Sequence, residues 1–130
     1  MKLRRFGVLV VLTGFLAACA TGQDPASIED ASVPSKNNAI IALLDNAATQ
    51  HDAGQLESAA ATIERALRIE PKNPQLWQRL ALIRLEQGQY NLAANLAAKS
   101  SSFAATDMAR YRVLIEKNKE IINQAKRKRS

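Results

Sequence analysis

Gly54 and Gly88 stand 34 residues apart, and moving the chain by that interval superposes far more than the two glycines. Leu43 falls on Trp77, Ala47 on Ala81, Leu56 on Tyr90 and Ala59 on Ala93. A second shift lays Trp77 on Tyr111 and Leu80 on Leu114. Beyond Asn38 there is no alternating β-branched run, and Gly and Pro fall only at the ends of apolar-periodic segments, so every segment reads as helix. The spacing predicts helices over 39–53, 56–69, 74–87, 90–101 and 107–126. Gly54 and Gly88 stop the first and third, Pro71 closes the second, and Asn73 with Pro74 supplies an N-cap and first-turn proline for the third. A repeat of this length cannot bury its apolar face alone. It must stack on its neighbour, which makes the chain all-α and elongated.

The stretch "LWQRLALIRLEQGQYNLAANLA" resembles the tetratricopeptide repeat (TPR). Trp77 and Leu80 are spaced as the family's large residues are, Ala81 takes the small position, and Gly88, Tyr90 and Ala93 form the turn and the contact of the second helix. In the preceding repeat "AGQLESAAATIERALRIEPKN" matches the second helix and its closing proline. Ala59 and Ala93 let paired helices approach, Trp77 and Tyr90 fill the space between them, and glycine frees the backbone for a tight turn. The resemblance implies a short right-handed TPR solenoid of about five helices: two repeats and a C-terminal capping helix with Tyr111 and Leu114 inward. Two departures stand out. Leu43 and Asn46 replace the large pair in the first repeat, and Ala105 stands where the second repeat's closing proline belongs.

The amino terminus obeys other rules. "MKLRRFGVLVVLTGFLAA" sets Lys2, Arg4 and Arg5 before an apolar run from Phe6 to Ala18 with no acid, the charge order of a bacterial export signal. That run is shorter than the roughly 20 residues a membrane-crossing helix needs. Leu16, Ala17, Ala18 and Cys19 resemble a lipobox, which implies lipidation of Cys19, the chain's one cysteine, and cleavage before it. Ala18, Cys19 and Ala20 also fit ordinary signal cleavage after Ala20. Lipidation leaves no thiol for a disulfide, and three acyl chains exceed the single one that binds only reversibly. Ala20, where many lipoproteins of the inner membrane carry Asp, points to the periplasmic face of the outer membrane. The division expected is a lipoprotein signal over 1–18, a lipidated Cys19 and flexible tether over 19–38, and a TPR domain with capping helix and basic tail over 39–130.

The formal charge of +6 includes the three signal cations, so the remainder carries only +3. Nucleic acid is disfavoured as a partner, by compartment more than by charge. Catalysis is disfavoured by inventory: His51 is the single histidine, and no cysteine remains as a nucleophile. Glu64 and Arg68 read as a helix ion pair, and His51 as a solvated or capping group at a helix end. No cofactor, metal or small-molecule substrate is expected. The terminal Lys126 to Arg129 reads either as a frayed, solvated helix end or as a contact for an anionic surface.

Small TPR modules bind other proteins. In the family the positions of Leu43 and Ala47 pack between helices, whereas those of Ile41, Leu44, Gln75, Gln78 and Arg112 line the groove, which makes these five the candidate partner-binding residues. Ile41 and Leu44 are alternatively covered by the tether. Lipobox, short tether, two repeats and "ALIRLEQGQYNLAANLAAKSSSFA" with "YRVLI" together are similar to the LpoP-type lipoproteins. That resemblance implies a periplasmic activator of a class A penicillin-binding protein, a peptidoglycan synthase. The alternative is an assembly or pilot factor for an outer-membrane complex such as a type IV pilus secretin.

Overall fold

The computed structural model describes residues 35–130. Among them are five α-helices: α1 (Asn38–Asp52), α2 (Leu56–Ile69), α3 (Pro74–Glu86), α4 (Tyr90–Ala104) and α5 (Met108–Arg129), with a 3-10 turn at Ala105–Asp107. Each helix packs on the next, and α3 also reaches α5, so α1 and α2, then α3 and α4, form two stacked hairpins with α5 closing the stack.

The two hairpin turns are copies of one another. Gly54 and Gly88 adopt φ of 73° and 76°. The amide of Gly54 donates to the His51 carbonyl and that of Gln55 to the Gln50 carbonyl; Gly88 to Leu85 and Gln89 to Arg84 repeat the pattern. This is the Schellman closure, which needs a left-handed residue just past the helix and so favours glycine. The helix starts are capped in turn: Asn37 accepts from the Ala39 amide, Asn73 from Gln75 and Asp107 from Arg110.

Small residues line the helix crossings. Ala59, Ala60, Ala66, Ala81, Ala93 and Ala97 are fully buried, and with so little side chain between them neighbouring axes approach closely. Ile40, Ile63, Leu76 and Leu114 supply the bulk of the interior. Trp77 fills less of it than its position in the repeat suggests. Its indole is half-buried, donates from Nε1 to the Pro71 carbonyl at 2.8 Å, stacks on Phe103 and carries the Lys99 ammonium 4.0 Å from the ring centre. Leu76, one residue earlier, is the side chain that α3 commits entirely to the core.

The missing proline at 105 has a structural consequence. α4 continues to Ala104, past the expected end at 101, and the 3-10 turn hands the chain to α5 without a loop residue. Further on, Tyr111, with φ of −104° and ψ of 17°, kinks α5 near its start. α5 then runs through Lys126 to Arg129, so the basic end is helical rather than frayed.

Candidate functional site

Helices α1, α3 and α5, the first helices of successive repeats, lie side by side. His51 at the end of α1 reaches Glu86 at the end of α3, and Gln78 of α3 reaches α5. Their shared face is where the five groove residues belong, and each has a different fate. Ile41 is 39% exposed, and Leu44 is half-buried against the core. Gln75 is only 7% exposed, which corrects its expected place on an open groove: its residue lines a cleft at the edge of the stack instead. Gln78 is spent within the fold, donating from Nε2 to the Leu114 carbonyl at 3.0 Å and to Asn118 Oδ1 at 2.9 Å. A side chain with those bonds is an interhelix brace, and that corrects its reading as a groove contact. Arg112 is exposed on α5. Of the five, then, Ile41, Leu44 and Arg112 keep surface available.

The edge cleft has a volume of about 490 Å³ and runs between Ser35, the α2–α3 turn and the start of α5. Glu70 anchors it, accepting from the Ser35 hydroxyl on Oε1 and from Asn73 Nδ2 on Oε2. Ser35, just ahead of α1, is thereby pinned to the α2–α3 turn. On the shared face the crevice between α1, α2 and α3 is far smaller, about 20 Å³, little more than room for one water.

Three charged groups on or beside this face have surroundings that sequence reasoning missed. His51 Nε2 lies 2.8 and 2.9 Å from the two Glu86 oxygens, which corrects its reading as a solvated end group. The hydrogen bond to Glu86, against some desolvation, raises the imidazole pKa above 6.5. Arg84 bonds Glu57 and Glu64 at 2.9 Å each and ties α3 to α2. Glu64 therefore pairs between helices and not with Arg68. The Gln87 amide, then Arg84, lowers the Glu57 carboxyl below its ordinary value. Arg79 lines the small crevice beside Ala48, His51 and Leu82. Burial lowers its guanidinium pKa, and the charge of Asp45 opposes that.

Two polar residues, Asn118 and Ser100, are wholly internal. Asn118 is inaccessible to solvent, donates from Nδ2 to Ser100 Oγ at 2.8 Å and Ser101 Oγ at 3.1 Å, and accepts from Gln78. Ser100 in turn donates to the Pro74 carbonyl. Its signal was present in the sequence: Leu114, Asn118, Ile121 and Ala125 follow the spacing of a buried helix stripe. Arg79 left a similar one, sitting between Leu76 and Ile83 on the packed side of α3.

The repeat residues fall as follows. Ala59 and Ala93 are fully buried, Leu80 and Leu114 are 5% and 2% exposed, Tyr90 and Tyr111 are half-buried, and Pro71 is exposed with its carbonyl bonded to Trp77. Cys19, the signal and most of the tether lie outside the described residues. Among the described residues no cluster of three His, Cys, Asp or Glu is placed to hold a metal, and no helix is long and apolar enough to cross a membrane.

A paired-helix repeat, a Gly-centred turn in each hairpin and alanines at the crossings define the class, and the tetratricopeptide repeat family profile matches residues 40–117. The chain belongs to that family. Among solved structures it is similar to the globular C-terminal domain of P. aeruginosa LpoP, with 38% identity, a TM-score of 0.64, and coverage of 73% of this chain and 86% of that one. Comparison with curated proteins yields no match.

Proposed function

We propose that this chain is a non-catalytic lipoprotein on the periplasmic face of the outer membrane that binds and activates a class A penicillin-binding protein. The observation that carries the reading is the likeness to the LpoP domain, which at 38% identity extends over 86% of that domain. LpoP-type lipoproteins, which the sequence resembles, are activators of such synthases. The surface supports docking better than chemistry: exposed Ile41 beside half-buried Leu44 offers aliphatic contact on the face shared by the first helices, and Arg112 adds a charge to that face. Apolar side chains ringed by polar groups are the usual anchors of protein recognition.

Lipidation at Cys19 completes the reading, because it holds the binding domain near the membrane while the tether lets it reach inward. Because Ser35 is already bonded to Glu70, the free tether is the fifteen residues Ala20 to Pro34, which span at most about 50 Å when extended. Labelled palmitate should enter the wild-type chain and not Cys19→Ala, and label in the variant would remove the anchor from this account. The partner is tested by affinity capture of the full chain from detergent-solubilised envelopes, with the bound proteins identified by mass spectrometry. A class A penicillin-binding protein is the expected prey; recovery of a secretin in its place would make the chain a pilot factor.

A further inference from the structure

Every half-buried cation on α3 except one has an acceptor. Arg84 holds two carboxylates, and the acid nearest the end of the helix, Glu86, is fully occupied by His51. Arg79 stands two turns before Glu86 on the same side of α3. It is half-buried, and among the described residues no side chain or carbonyl bonds it. Asp45, on α1, acts on it only through its charge, and no ion pair joins the two. A guanidinium is planar with five donors. None of them meets an acceptor among the described residues, which leaves them open to a ligand.

The surroundings state what would complete it. The small crevice beside Arg79 is lined by Ala48 and Leu82 as well as His51, and Leu44 and Ile41 continue the aliphatic surface along α1. The geometry points to Arg79 as the receptor for a single side-chain carboxylate on a partner segment whose neighbouring residues are aliphatic. The carboxylate takes the guanidinium fork, and the aliphatics lie on Ile41 and Leu44. Of the anions a partner can present, a carboxylate fits best: the fork matches its two oxygens, and the apolar rim disfavours a doubly charged, heavily hydrated group. This inference rests on the proposed function, in that the partner segment is assigned to the peptidoglycan synthase.

Two measurements on the full chain test it separately from that function. In the first, the Arg79 Nε–H resonance is followed during titration with the peptide Ac-Leu-Glu-Leu-Leu-NH2 and with its Glu→Gln counterpart. The Glu peptide should shift Arg79 saturably and bind at least about fivefold tighter, a ratio in keeping with a charge-assisted bond. No shift, or an equal shift with both peptides, overturns the inference. In the second, Arg79→Met is compared with wild type. Removing a half-buried cation that bonds nothing within the fold should leave the melting temperature unchanged or higher, while affinity for the soluble ectodomain of the class A synthase falls at least about tenfold, with Arg79→Lys between the two. A lowered melting temperature, or undiminished affinity of Arg79→Met, overturns the assignment. If wild type ignores the ectodomain yet Arg79 responds to the Glu peptide, the carboxylate site stands and the synthase is the wrong partner.

Discussion

Helix α3 has a neighbour on either side, and it treats them differently. Towards α5 it sends Gln78, whose amide meets Asn118, which meets Ser100, which returns to Pro74 at the start of α3 itself. The bonds of Asn118 to Ser100 and of Ser100 to Pro74 are buried, that of Gln78 is partly so, and α3 and α5 pack more extensively than α1 and α3 do. Towards α1 it sends Arg79, which finds no acceptor, and Glu86, which finds His51 near the surface. The same geometric relation between first helices is therefore closed at one junction and left open at the other. A saturated buried network specifies packing and offers nothing to a ligand. Donors left open near the surface can serve recognition.

The largest effect should come from opening the closed junction. Asn118→Ala removes three hydrogen-bonding relations and leaves Gln78 and Ser100 with lost partners in the interior, at a cost of about 3 kcal/mol. Urea denaturation should show the midpoint falling at unchanged slope. A loss below about 1 kcal/mol would mean that water replaces the asparagine and that the two junctions differ less than described.

A smaller effect belongs to the His51–Glu86 pair. Because the folded imidazole pKa lies above 6.5, the pair contributes fully below the unfolded value. That contribution fades as the pH rises through the raised one. Stability should thus drop by about 0.5 kcal/mol between mildly acidic and mildly basic solution, the modest worth of a pair near the surface. Glu86→Gln should flatten that dependence. A variant with the wild-type slope would assign it to another group.

The smallest change is expected at the end of α5. Arg129 Nη1 donates to Asn91 Oδ1 at 2.7 Å, while Ala125 is the last buried residue. Deleting Lys126 to Ser130 should shift stability by no more than about 0.5 kcal/mol and leave partner binding intact. Loss of binding that high salt reproduces would move recognition from the α1–α3 junction to the basic end.

How much of this was legible follows from which residues geometry compels. Gly54 and Gly88 announce the repeat because a left-handed turn position tolerates little else, and Ala59 and Ala93 because close helix crossings exclude larger side chains. Those requirements are local, so a period in the sequence reveals them. Gln75 and Gln78 misled because their family position faces the groove, whereas their environment depends on how α5 arrives, and α5 arrives through a proline-free continuation of α4. Arg79 and Asn118 were visible only as polar residues on packed stripes. Nothing local says that Asn118 finds Gln78 and Ser100, or that Arg79 finds no acceptor, because those outcomes depend on residues 18 to 40 positions away.

Glycan polymerisation by a purified class A penicillin-binding protein, followed with and without the full-length chain in detergent, bears most directly on the role assigned here. Wild type should raise the rate severalfold. Ile41→Asp, at a position 39% exposed and therefore free to change without unfolding α1, should abolish most of that rise while melting as wild type does. A synthase whose rate is indifferent to the wild-type chain, in a mixture where the two are shown to bind, would contradict activation outright.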